Sequence, residues 1–196
     1  MAGTPELLVD NLFFPEGPRW RADDAGGRLW FSDVLASQIK SVDLDGNLQV
    51  IAEVAEKPSG LGWWPDGRFV AVSLDGKLNV IGDDGSVTEV ADMQALDGFG
   101  CNDCVVDSQR GFSYVGSFQL LDEMQHPSPF NMCRFSNIHL VQPDGSARIA
   151  AERMTFPNGA VITPDGSTYI VAESFANRLS AFDIQDDGSL ANRRVW

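Results

Sequence analysis

Residues 15–54 read PEGPRWRADDAGGRLWFSDVLASQIKSVDLDGNLQVIAEV, and residues 58–93 read PSGLGWWPDGRFVAVSLDGKLNVIGDDGSVTEVADM. Laid over one another, both open on a proline-containing turn and continue as short apolar runs separated by Asp-Gly or Pro-Asp-Gly turns. Helical periodicity is nearly absent, and the pattern is that of an antiparallel meander. CNDCVVDSQRGFSYVGSF (101–118) with NIHLVQPDGSARIAAERM (137–154) makes a third unit. PNGAVITPDGSTYIVAESFANRLSAFDIQDDGSLANRRVW (157–196) makes a fourth.

Glu16, Ser59, Asn102 and Asn158 stand at corresponding places in the four units. The first two spacings are both 43 residues and the third is 56, because an insertion at about 118–135 interrupts the third unit. Four short strands in a period of about 40–50 residues is the signature of propeller blades. Each blade buries its faces only against its neighbours, so repetition is a physical requirement. The expected fold is therefore an all-β β-propeller. Residues 1–196 form a single partial domain of about four blades, beginning near 16, 59, 102 and 158. LLVDNLFF (7–14) is expected to be an orphan outer strand. The fourth unit shows three clear strands and reaches RRVW (193–196) where its outer strand should start, which predicts a C-terminally truncated propeller.

Composition narrows the function. The chain has 28 Asp plus Glu against 14 Lys plus Arg, which disfavours a phosphate-binding groove and hence a nucleic-acid partner. Part of that acidity belongs to turns, because Asp-Gly pairs begin at Asp45, Asp66, Asp75, Asp84, Asp97, Asp144, Asp165 and Asp187. No run of 18 apolar residues occurs, so no membrane partner is expected. The first ten residues lack the basic and apolar regions of a signal peptide. Three cysteines, Cys101, Cys104 and Cys133, form no disulfide framework, and a reducing cytoplasm is the expected location. CNDC (101–104) opens an alternating strand-like run, where a redox Cys-x-x-Cys pair would open a helix.

In a propeller the loops that lead into the innermost strands gather at one mouth of the central channel. Positions 16, 59, 102 and 158 would then surround one axis, and three of them carry Glu or Asn. A carboxylate with amide carbonyls is a hard-oxygen set, suited to calcium or magnesium rather than zinc. Taken singly, Glu and Asn beside Gly or Pro are ordinary turn formers. Recurrence at one phase is what makes a site, with Ser59 as a channel-lining exception. His139 alternates with Ile138 and Leu140 and reads as structural, while His126 beside Pro127 reads as solvated. Asp33 and Glu173 end the second strands of units one and four and have a weak claim to face the channel. Met124 and Phe130 in the insertion could touch a substrate or simply cap the blade.

The motifs EGPRW, RLWFSD, VDLDG, GLGWWPDG, NDCVVD, FPNGAVITPDGSTYIVAESFANRLSAFDI and DGSLANRRVW, in that order, resemble the senescence-marker-protein/gluconolactonase/LRE-like (regucalcin-type) family. The resemblance runs from about residue 7 to the end. It implies a six-bladed propeller that hydrolyses lactones or related esters with a divalent ion in its channel. Calcium is the first choice, and magnesium, manganese or zinc remain open. Glu16 and Asn158 become metal ligands, Asn102 a ligand or substrate contact, and Asp103 a neighbour lining the same pocket. The family's remaining ligand, an Asp also proposed as general base, would fall a few residues past Trp196, so no catalytic residue is assigned here and impaired activity is expected. Regucalcin-like members carry an Arg where this chain has Gly100. Two other readings stand beside the lactonase: a non-catalytic propeller scaffold and a phosphotriesterase-like hydrolase.

Overall fold

The computed structural model describes residues 4–24, 26–119 and 135–196. These residues form four antiparallel four-stranded sheets, each a meander from an inner to an outer strand. Blade one comprises β1 (Pro15–Arg21), β2 (Arg28–Asp33), β3 (Gln38–Val42) and β4 (Leu48–Glu53). Blade two comprises β5 (Pro58–Trp63), β6 (Phe69–Ser73), β7 (Lys77–Ile81) and β8 (Val87–Asp92). Blade three has β9 (Gly100–Val106), β10 (Ser113–Phe118), β11 (Ser136–Val141) and β12 (Ala147–Met154). Blade four has β13 (Pro157–Ile162), β14 (Thr168–Glu173), β15 (Arg178–Ile184) and β16 (Leu190–Val195). β1 packs against β5, β5 against β9, and β9 against β13, so the sheets follow one another as blades of a β-propeller.

Turn chemistry accounts for the meanders. The glycine of every Asp-Gly pair sits at positive φ, from 70° at Gly166 to 92° at Gly67, a conformation that costs a side-chain-bearing residue but not glycine. The aspartates close the same turns. Asp66, Asp84, Asp144, Asp165 and Asp187 each accept the backbone N–H two residues on. Side-chain donors from Arg68, Ser86, Ser146 and Thr163 to the first four, and the backbone bonds after them, hold the carboxyls below the usual carboxylate range, with the Ser189 N–H leading at Asp187.

The core lies between blades. Ile39, Ala52 and Val54 meet Leu61, Ala71 and Ile81 at the first interface. Trp64, Val70 and Leu78 meet Cys101, Cys104 and Val115 at the second. Ile138, Leu140 and Met154 meet Val171, Phe182 and Ile184 at the third. Two buried aromatics also carry polar ties across these interfaces. Trp64 Nε1 donates to Ser113 Oγ at 2.8 Å, and Tyr114 Oη donates to the Gly188 carbonyl at 2.8 Å.

Two expectations need correction. The fourth unit does not stop at the start of its outer strand. β16 pairs with β15 from Leu190 opposite Ile184 to Val195 opposite Ser180, so this blade has its full complement of four strands. The polar stretch LANRRV hides this strand from a hydrophobic reading, because its residues are largely exposed. Residues 4–14, in turn, contain no strand. Leu7, Leu8 and Leu12 line one open cleft with Leu29, Phe31 and Val42. Asn11 at φ 59° breaks the extended run, and the Phe13 and Phe14 N–H groups donate to the Asp33 carboxylate instead of to a ladder.

Asp33 and Glu173 play one role in two blades. Buried Asp33 ends β2, holds the backbone just ahead of β1 and accepts Lys40 Nζ at 2.6 Å. Buried Glu173 ends β14, accepts the Thr155 N–H just ahead of β13, and is bound by Arg178, Arg193 and Ser180. In blades one and four these strand-end acids clamp the segments that lead into the inner strands. Burial pushes the Glu173 carboxyl up, but these hydrogen bonds outweigh it and bring it down to about 2 from 4.5.

Two outcomes follow. Tyr114→Phe deprives the buried Gly188 carbonyl of its donor and is expected to lower unfolding free energy by about 1–2 kcal/mol in urea titration. Glu173 is held ionised in the fold, so its stabilisation is complete above pH 4.5 and is lost as pH falls toward 2. Glu173→Gln should flatten that part of a stability-versus-pH curve measured by chemical denaturation, while remaining less stable at neutral pH.

Candidate functional site at the channel mouth

Each inner strand carries an irregularity immediately after its opening residues. Register shifts fall between Glu16 and Arg19 in β1, Pro58 and Leu61 in β5, and Pro157 and Ala160 in β13. In β9 the shift lies opposite the step from Val115 to Ser117, between Cys104 and Cys101. A bulge re-aims the side chain at the kink. The shifts leave Ser59, Asn102 and Asn158 outside the paired register, while Glu16 stays opposite Ser32 with the shift directly after it.

Backbone packing holds the kinks close together. A Cβ on Gly17 would stand 2.6 Å from the Ser59 carbonyl, and Gly17 itself lies at φ 58°. A Cβ on Gly60 would stand 2.3 Å from the Cys104 nitrogen. Only glycine lets neighbouring inner strands approach this far.

The structure brings the sequence-predicted residues together. Ser59 Oγ donates to Asn102 Oδ1 at 3.0 Å, and Asn102 Nδ2 donates to Asn158 Oδ1 at 3.1 Å. Asn158 Nδ2 then reaches Ser174 Oγ at 3.3 Å. This relay links blades two, three and four. Ser59, read from sequence as a passive lining residue, orients the Asn102 amide. Glu16 shares a cavity of about 180 Å³ with Ser59 and Asn102. Its half-buried carboxylate accepts no hydrogen bond from any described residue.

Asp103 lies deeper. Its Oδ1 accepts the Cys104 N–H at 2.8 Å and Arg19 Nη2 at 3.2 Å, and the same guanidinium nitrogen also meets the Cys104 carbonyl. Asp103 is thus tied to Arg19 of blade one and does not line the cavity around Glu16. Sequence reasoning missed Arg19, which stands 84 residues from its partner. Its one signal was a cation inside EGPRW, three residues after Glu16.

Among the described residues no three His, Cys, Asp or Glu side chains gather as a metal cluster. The site offers one carboxylate and two amide oxygens, all hard donors, which match calcium or magnesium in kind. Cys101 and Cys104 are buried in β9, and burial pushes both thiols up, Cys104 to about 12. Neither supplies a thiolate near neutrality. His139 is buried, 2.9 Å from Asp97 and 3.8 Å from the Cys101 sulfur, and burial lowers its pKa. It is part of the core, as its strand pattern suggested. Met124, His126, Phe130, Cys133 and most of the 118–135 insertion lie outside the described residues.

Four sheets packed blade to blade along their inner strands define a β-propeller. The chain belongs to the SMP-30/gluconolactonase/LRE-like family, whose sequence profile matches residues 14–196. No curated protein matches it. Solved structures with the same fold include a gluconolactonase of Xanthomonas campestris, with 21% identity and TM-score 0.76 over 96% of this chain and 64% of the other. A calcium-binding regucalcin of Agrobacterium tumefaciens matches at 22% identity and TM-score 0.75, over 96% of this chain and 61% of the other. A luciferin-regenerating enzyme matches at 15% identity and TM-score 0.79, over 96% and 62%. This chain therefore spans less than two thirds of these neighbours.

The strand contacts set a sharp expectation. Gly60→Ala drives a methyl into the Cys104 backbone and should cost about 3 kcal/mol. Gly159→Ala, whose Cβ would find only Asp103 Oδ2 at 3.9 Å, should shift stability by no more than about 0.5 kcal/mol. Urea midpoints of the two variants check the contrast.

Proposed function

We propose that Glu16, Asn102 and Asn158 hold a divalent cation, calcium before magnesium, manganese or zinc, in a hydrolase site for lactones or related esters. The observation that carries this reading is the Glu16 carboxylate. It is half-buried, without a hydrogen-bond partner among the described residues, and it shares a cavity with Asn102. Membership of the gluconolactonase-containing family supports the reaction class. The regucalcin neighbour, a calcium-binding protein, supports the choice of ion.

When bound, the ion would polarise the ester carbonyl and acidify a water. The residues of this chain prepare the place. Ser59 fixes the Asn102 amide by donating to its oxygen, and Asn102 in turn fixes Asn158. Each amide oxygen keeps a second lone pair after accepting its internal bond. Asn102 orients the substrate in the cavity, and Asp103, whose Oδ1 is held by Arg19 and the Cys104 N–H outside that cavity, keeps Oδ2 for a substrate that extends past the donors. The general base is not assigned among these residues. One carboxylate with two amides supplies a single negative charge, which sets weak calcium affinity, on the order of 10⁻⁴ to 10⁻³ M. Turnover by this chain is correspondingly low. Among the described residues no helix is long and apolar enough to cross a membrane. The substrate is a small molecule, with neither nucleic acid nor membrane as partner, and the two buried free thiols suit a reducing, cytoplasmic setting.

At calcium about tenfold above its Kd, the folded chain should gain about 1.4 kcal/mol and melt at a higher temperature. Glu16→Ala should abolish that gain. An unchanged melt in wild type, or an equal rise in the variant, would refute the cation site.

A further inference from the structure

The cavity over the oxygen donors has apolar walls. Phe14, Val34, Leu74, Phe118 and Phe156 surround the polar floor of Glu16, Ser59 and Asn102. Phe118 and Phe156 lie 5.8 Å apart between ring centres, and Phe175 meets Phe156 edge-on at 5.1 Å. The turns after β2 and β14 also place Leu35 and Phe175 at corresponding positions, 61% and 50% exposed. Apolar surface thus continues from the cavity wall onto its rim.

The floor has little to offer a polyol. The Ser59 hydroxyl already donates to Asn102, the Asn102 and Asn158 amides each commit one N–H to the relay, and the Glu16 carboxylate with the spare amide lone pairs is taken up by the proposed cation. Gly100 contributes no side chain, Arg19 is committed to Asp103, and exposed Lys57 lies outside the cavity lining. Sugar hydroxyls brought against the phenylalanines would lose water without gaining partners, on the order of tenfold in affinity for each.

Phe156 adds an independent observation. It sits at φ 54°, left-handed backbone that glycine and asparagine occupy readily and a bulky aromatic rarely does. Lys57 shares the conformation at the matching place in blade two, so the turn dictates the angle. The turn does not dictate the ring. A large apolar side chain is held there against local preference, in the lining of the same cavity as Glu16 and Asn102, and such outliers cluster at ligand sites.

We propose that this cavity takes lactones or esters whose body is an alkyl or aryl group, in preference to polyhydroxylated sugar lactones. The inference rests on the hydrolase reading for the ester function, and on the cavity walls alone for the apolar body.

The test uses 2-alkylcyclopentanones, non-hydrolysable carbocyclic counterparts of lactones, titrated into the chain by NMR with side chains from methyl to hexyl. Affinity should rise about fourfold per methylene while the chain remains within the cavity. Phe156→Asn, which suits the left-handed backbone, and Phe118→Ser should each flatten the series while leaving the protein folded. Turnover of γ-nonalactone and glucono-δ-lactone with calcium is measured in parallel. A rising series flattened by both variants supports the inference, and absence of all turnover would then overturn only the hydrolase reading. A flat series with turnover of glucono-δ-lactone overturns the inference and leaves the hydrolase reading standing. A flat series without turnover overturns both.

Discussion

Neighbouring inner strands in this propeller run so close that Gly17 lies under the Ser59 carbonyl and Gly60 under the Cys104 amide, with no room for a Cβ at either place. That approach governs what happens at the channel mouth. It brings blades two, three and four within reach of single hydrogen bonds between side chains. It also leaves Asp103, where three blades have glycine after the site residue, directed to Arg19 rather than to the mouth. The polar relay and the deeper ion pair are thus two results of one packing constraint.

Function and stability divide the acidic residues by place. The turn aspartates Asp66, Asp84, Asp144, Asp165 and Asp187 are exposed and close hairpins through backbone N–H groups. Asp33 and Glu173 are buried and paired, each fastening the segment that leads into its own blade. Glu16 alone at the mouth is half-buried and unmatched among the described residues. The cation proposed above would supply the partner that this carboxylate lacks among the described residues.

The site was partly legible before any coordinates. Glu16, Asn102 and Asn158 share a phase in the repeat, and a rotationally repeated fold converts shared phase into proximity. The role of Ser59 was not legible, since the direction of its hydroxyl depends on the bulge after Pro58. Arg19 escaped for a similar reason: strand alternation predicts its direction only if the register is unbroken, and the register breaks between Glu16 and Arg19. The outer strand β16 was hidden because it is amphipathic toward solvent, and the segment 4–14 misled because its leucines serve a face rather than a ladder.

The sequence by itself determined the meander, the four-unit period and the turns, because Asp-Gly pairs and alternating apolar runs act over a few residues. It also marked which oxygens recur at each unit's opening. Only the tertiary structure decided which of them meet, which are clamped into the scaffold, and that phenylalanines rather than polar groups wall the cavity. Those outcomes depend on bulges and on contacts between residues tens of positions apart, where local propensity carries no information about direction.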